Sequence, residues 1–172
     1  VFSPRLRRRF DIVSWDPRGT GGSEPLRCGR HLDRFFGVDR SPDTSAERTA
    51  NIDVARTLAE ECEGTDGQVL AHVGTAETVH DVDAIRRALG ESTISYLGFS
   101  YGTMIGSRYA VEFPARVRAM VLDGPVDPSI DAVSSSIQQA EGFERALDAF
   151  LQACDTSRSC AFDRGRGAGA AF

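Results

Sequence analysis

Ser100 stands in Gly98-Phe99-Ser100-Tyr101-Gly102, a G-x-S-x-G pentapeptide. A serine so placed is a candidate nucleophile for acyl transfer, because a sharp turn between small residues can lift its Oγ clear of the backbone. Free serine is a poor nucleophile. The chemistry therefore needs a base to take the hydroxyl proton and a third group to orient that base. A glycine-rich chain can produce the pentapeptide by chance, and the plain alternative is a Ser/Gly turn of purely structural use.

The histidines that could serve as base are His31, His72 and His80, and all of them precede Ser100. His80 sits beside Asp81 and Asp83 in a helical stretch. For it and for His72, a solvent-facing or helix-packing role is simpler than that of a relocated base. Asp123 ends an apolar run after the pentapeptide. That position suits an orienting carboxylate, and suits better a hydrogen-bonding residue at a strand end. A second glycine-rich stretch, "SWDPRGTGGS" (14–23), could be pinned by Asp16 or Arg18. It lacks the phosphate-binding spacing G-x-x-x-x-G-K-[ST], and the chain has no lysine to complete one. The cysteines are Cys28, Cys62, Cys154 and Cys160. None forms a C-x-x-C pair and no histidine is spaced to complete a zinc site, so metal is not expected. Their even number permits two disulfides in any of three connectivities, or four buried thiols.

To be presented for chemistry, Ser100 must follow a strand and open a helix. "TISYLG" (93–98) reads as a short strand, and "GTMIGSRYAVEF" (102–113) as a helix stopped by Pro114. "VRAMVLDG" (117–124) reads as a further strand closing on glycine. In this geometry Gly98 and Gly102 flank the turn, where a Cβ at either would collide, and the Tyr101 amide points toward a developing oxyanion. Upstream, "FDIVSW" (10–15) is β-branched and aromatic and predicts a buried strand. Thr44 and Glu47 have capping-box spacing ahead of a helix whose apolar face is Ile52, Ala55, Leu58, Ala59 and Cys62, with Gly64 as its end. A second helix from about Thr75 carries Val79, Val82, Ile85 and Leu89, with Gly90 at a left-handed cap. The alternation indicates an α/β layered domain with a parallel sheet. Strands 10–15, 93–98 and 117–122 are expected to be parallel, with Ser100 at their C-terminal edge beside the 16–23 loop. From Asp127 the pattern changes to one long amphipathic helix bearing Ile137, Phe143, Leu147, Phe150, Leu151 and Cys154, then the tail "DRGRGAGAAF".

The length of 172 residues suits one ordinary domain. A net charge of −5 argues against nucleic acid as the main partner, and Arg5, Arg7, Arg8 and Arg9 read as a solvated run. No apolar run approaches the roughly 20 residues of a membrane span. The N-terminus has no apolar stretch before a cleavage site, so it reads as a chain entered in mid-domain rather than as a signal peptide.

Three stretches taken together, "FDIVSWDPRGTGGSEPLRC", "HDVDAIRRALGESTISYLGFSYGTMIGSRYAVEFPARVRAMVLDGPVDP" and "ALDAFLQACDTSRSCAF", resemble the α/β-hydrolase peptidases of the tripeptidyl aminopeptidase and proline iminopeptidase group. The likeness is greatest to the secreted actinobacterial type, and it runs in order over nearly the whole chain. The resemblance implies an α/β-hydrolase fold, incomplete in these residues and with apolar edges exposed. Residues 1–126 would form part of the core, and 127–172 the start of a helical lid. Ser100 would be the nucleophile, and the backbone amide of Tyr101 one oxyanion donor. Enzymes of this kind carry Ser, then Asp, then His in chain order. The Asp and His, and a His/Gly-rich oxyanion loop, would then lie on sequence outside these residues. Such an enzyme is an exopeptidase acting on peptide substrates without a cofactor, secreted or in the cell envelope. Resemblance and spacing also imply the pairs Cys28 with Cys62 and Cys154 with Cys160. The rivals are an esterase or lipase on the same machinery, and a non-catalytic truncated product.

Overall fold

A computed structural model describes residues 2–157, 160–161 and 167–171. It divides into two compact units, Val1–Pro125 and Val126–Phe172.

The first unit begins with a one-turn helix, α1 (Pro4–Arg7), whose N-terminus is capped by Ser3. A short α2 (Leu32–Phe36) leads to the long α3 (Ser45–Leu70). Thr44 and Glu47 close a reciprocal capping box at its start: the Glu47 N–H donates to Thr44 Oγ1, and Glu47 Oε2 accepts from the Thr44 N–H. The helix does not end at Gly64. It runs on to Leu70 with a kink at Asp66, whose carboxylate accepts the Arg27 N–H at 2.9 Å. Gly64 is not among the residues with positive φ, so the left-handed stop that glycine usually provides is not used there.

Around the site the order is α4 (Thr75–Ala88), β1 (Ile94–Phe99), α5 (Tyr101–Glu112) and β2 (Val117–Asp123), with a 3₁₀ turn at Pro114–Arg116. β1 and β2 pair in parallel, from Ile94 opposite Val117 to Phe99 opposite Asp123. α5 is the crossover between them. Val79 and Val82 of α4 meet Ile105 and Tyr109 of α5 in the core, joined by Trp15, Ile94, Tyr96, Phe113 and Val117. A buried polar cluster ties the same helices together. Asp83 accepts from Arg86 Nε at 2.8 Å and from the Tyr109 hydroxyl at 3.3 Å, and Arg86 Nη1 also donates to the Glu91 carbonyl. The Arg86 hydrogen bond, foremost, holds the Asp83 carboxyl below the usual carboxylate range against the opposing effect of burial.

Residues 10–15 form no strand, contrary to their β-rich composition. Among the described residues the sheet has two strands, and no ladder partner meets this segment. Phe10, Ile12 and Val13 are 40–49% exposed. Trp15 alone reaches the core, packing on the α4–α5 cluster. Strand propensity describes fitness for a pleated, paired surface; without a paired neighbour the backbone groups have no ladder to join.

In the second unit, Asp131 caps α6 (Ala132–Thr156), accepting the Val133 and Ser134 N–H groups. A short α7 (Ala168–Ala171) follows, and the Ala168 N–H donates to Asp155 Oδ1. Phe162 and, of the Gly/Ala-rich tail, residues 163–166 and 172 lie outside the described residues.

Both cysteine pairs are disulfides, Cys28–Cys62 with Cα atoms 4.5 Å apart and Cys154–Cys160 with 5.3 Å. Cys28–Cys62 closes a loop across 34 residues. Restricting that loop in the unfolded chain contributes about 4 kcal/mol, against about 2 kcal/mol for the short Cys154–Cys160 loop. A Cys28→Ser/Cys62→Ser variant of the full-length protein is expected to melt lower than Cys154→Ser/Cys160→Ser, as scanning calorimetry would read.

Candidate active site

Ser100 joins β1 to α5 with φ 50° and ψ −119°. Only one other non-glycine among the described residues, Glu24, has a positive φ. Such a conformation costs on the order of 1–3 kcal/mol and persists only where its surroundings over-determine it. Here they do. The Ser100 N–H donates to the Asp123 carbonyl at 2.9 Å, and the Ser100 carbonyl accepts both the Thr103 N–H at 2.8 Å and its hydroxyl at 2.6 Å. The Tyr96 hydroxyl reaches from β1 to the Gly102 carbonyl at 2.8 Å. Burial raises the Tyr96 phenol above its ordinary pKa, which keeps it a donor.

The close approach of α5 to β1 needs glycine at Gly98. A Cβ there would lie 2.5 Å from the Gly102 carbonyl oxygen. At Gly102 the expectation of a clash fails, because a Cβ would meet only Tyr96 Oη at 3.8 Å. The second tight position is Gly106, one helical turn on, where a Cβ would come within 2.5 Å of the Tyr96 ring and 2.9 Å of Leu122. Small residues at 102 and 106 lie on one helix face, a signal that was present in the sequence.

Ser100 and Tyr101 are both exposed. Tyr101 is the first residue of α5. Its N–H therefore belongs to the opening amides that have no intrahelical acceptor, at the positive end of the helix dipole. A nucleophile with an amide and a helix N-terminus beside it can attack a carbonyl and receive the oxyanion that forms. Thr75, which opens α4, places its Oγ1 2.6 Å from the Tyr101 hydroxyl. No sequence pattern marks that contact, which only the fold creates.

The glycine loop lies against the turn that precedes α4, since a Cβ on Gly19 would meet Val73 at 3.1 Å. Both expected pins are in use. Asp16 Oδ2 accepts the Gly22 N–H at 2.8 Å, and its carboxylate fills the space that a side chain on Gly21 (φ 50°) would need. Arg18 makes a two-pronged ion pair with Asp81 of α4, through Nε at 2.8 Å and Nη2 at 2.5 Å.

The histidines are not gathered at Ser100. His31 Nδ1 is 2.8 Å from Glu61, and His80 Nε2 is 2.7 Å from Glu112. Glu112 is the last residue of α5, about 17 Å along the helix from Tyr101 at 1.5 Å per residue. His72 is exposed in the turn between α3 and α4. Among the described residues, no side chain hydrogen-bonds the Ser100 Oγ. Asp123 contributes its backbone carbonyl to the elbow, and its exposed carboxylate forms no hydrogen bond among the described residues. Nor do three or more His, Cys, Asp or Glu side chains among the described residues converge as metal ligands would. No described helix is long and apolar enough to cross a membrane.

Comparison with known proteins agrees with this architecture. Over 160 residues the chain is 42% identical to serine protease Hip1 of Mycobacterium tuberculosis, covering 91% of this chain and 31% of that protein. It is 39% identical over 141 residues to a tripeptidyl aminopeptidase of Streptomyces lividans, covering 80% and 26%. It is also 42% identical over 160 residues to carboxylesterase B of Mycobacterium tuberculosis, covering 90% and 31%. The chain thus spans under one third of the length of these curated relatives. A family described as alpha/beta hydrolase fold matches residues 2–163. With a strained serine turn between a parallel strand and its crossover helix, and a family match over nearly its whole length, the chain belongs to the α/β-hydrolase fold family.

Proposed function

We propose that the full-length protein is a serine hydrolase, an exopeptidase that releases N-terminal residues or short peptides through an acyl-enzyme. Ser100 Oγ attacks the scissile carbonyl, and a histidine takes its proton. The Tyr101 N–H donates to the oxyanion, and collapse of the tetrahedral intermediate expels the amine, which carries away the proton returned by the histidine. Water then repeats the attack on the ester and frees Ser100. In this reading the histidine and the aspartate that orients it lie on sequence outside these 172 residues, since every histidine within them precedes Ser100. Residues 127–172 are the start of a helical lid segment in this reading. The two disulfides favour an oxidising compartment, the cell envelope or the exterior.

The observation that carries the reading is the backbone of Ser100, a non-glycine residue held at φ 50° between β1 and α5. The relatives named as a serine protease and a tripeptidyl aminopeptidase favour peptides as substrates. The relative named carboxylesterase B favours a second reading, in which the same acyl transfer acts on esters. The first test is a fluorophosphonate label read by mass spectrometry. Rapid labelling at Ser100 is expected in the full-length protein and not in the 172-residue chain. Rapid labelling of the short chain would mean that a base lies within it. His72 would then be the first candidate, because His80 is held at the far end of α5.

A further inference from the structure

We infer that the Tyr101 side chain is a positioning device for the oxyanion-binding amide of the same residue, braced at its hydroxyl by Thr75; the inference rests on Ser100 being the nucleophile. The direction of the Tyr101 N–H depends on the orientation of one peptide at the end of a strained turn. Tyrosine has only two side-chain torsions. The Tyr101 N–H belongs to the Ser100–Tyr101 peptide, whose Ser100 carbonyl accepts the Thr103 N–H and hydroxyl. Holding the Tyr101 hydroxyl as well limits rocking of the residue about that peptide, N–H included. Thr75 Oγ1 holds the hydroxyl at 2.6 Å.

The anchor is firm. Thr75 opens α4, and the Gly74 carbonyl before it accepts both the Thr78 N–H and the Thr78 hydroxyl. One and two turns further on, Val79 and Val82 are packed against Ile105 and Tyr109 of α5. The buried Asp83–Arg86–Tyr109 cluster prevents the helices from sliding past each other. The brace thus ties the first residue of one helix to the first residue of another, on a platform that is already rigid. A hydroxyl pair exposed to water adds little to global stability. Its effect should therefore appear in turnover and not in melting.

The test measures kcat and KM of the full-length protein on a p-nitrophenyl acyl ester. Losing an oxyanion donor outright costs about 10²–10³ in kcat. A donor that is present but misaimed should cost less, about 10-fold, in both Tyr101→Phe and Thr75→Val, with KM and Tm unchanged. Because both variants break one shared bond, the double variant should be no slower than either single one. Thr75→Ser, which keeps the hydroxyl, should retain wild-type kcat. The inference is overturned by wild-type kcat in either single variant, by losses that multiply in the double variant, by a change confined to KM, or by Thr75→Ser as slow as Thr75→Val. A Ser100→Ala control separates the two levels. Full turnover there overturns the nucleophile and the brace together, whereas a dead control beside an unimpaired Tyr101→Phe overturns the brace alone.

Discussion

Ser100→Ala is expected to lower turnover of the full-length protein by on the order of 10⁴–10⁶-fold, with its melting temperature unchanged. The two halves of this result have separate causes. The hydroxyl is the attacking group, whereas the other hydroxyls of the turn are engaged, that of Thr103 on the Ser100 carbonyl and that of Tyr101 with Thr75. It also forms no hydrogen bond among the described residues, so its removal breaks nothing in the ground state. The strain at φ 50° belongs to the backbone and is equal for serine and alanine. What remains is catalysis by the oxyanion donors and by binding alone, typically 10³–10⁴ over water. Steady-state kinetics beside a melting curve checks both halves. Retained turnover would remove Ser100 from the chemistry, and a lowered Tm would mean that the hydroxyl is structural.

Gly98→Ala is expected to damage the protein while Gly102→Ala does not, although the two glycines are symmetric about Ser100 in the pentapeptide. At Gly98 the added Cβ would sit 2.5 Å from backbone oxygen and 2.6 Å from backbone carbon of Gly102. Backbone cannot swing away as a side-chain tip can, so α5 would have to lift off β1. Overpacking a well-fitted contact costs about 1–3 kcal/mol, and this one belongs at the top of that range. Lifting α5 also moves the Tyr101 amide, so turnover should fall with stability. At Gly102 the Cβ has room, and alanine is the better helix former by up to about 1 kcal/mol. Stability should be unchanged or slightly improved. Urea unfolding of the two full-length variants reads the contrast. A Gly98→Ala variant as stable as wild type would place α5 further from β1 than described here.

What the sequence disclosed depended on whether the determinant was local. The strand–serine–helix order was legible because "TISYLGFSYGTMIGSRYA" contains its own punctuation, and the observed β1 and α5 lie within one residue of the expected spans. The Thr44–Glu47 box and the Gly90 cap, at φ 74°, were legible for the same reason. Residues 10–15 misled because a strand is completed by its neighbour, and composition cannot supply one. Gly64 misled because a glycine ends a helix only where the chain turns left-handed, and α3 instead kinks later, at Asp66. Gly106 could have been found by asking which residues recur on the strand-facing side of α5. The hydroxyl contact between Thr75 and Tyr101 could not, because the two residues meet only after α4 and α5 have packed.

The parallel pairing of β1 with β2 also bears on the order in which the chain assembles. The hydrogen bonds from Tyr96 to Gly102, from Thr103 to Ser100 and from Ser100 to Asp123 are all made within Ile94–Asp123, across one crossover helix. Parallel pairing across a crossover is slow beside a helical contact, yet small mixed α/β domains still complete it within about a second. Cys28 and Cys62 must meet across a longer separation and await an oxidant as well, a step that takes seconds to hours. The turn that carries Ser100 therefore belongs to an early-closing unit, shaped before the covalent cross-link upstream is sealed.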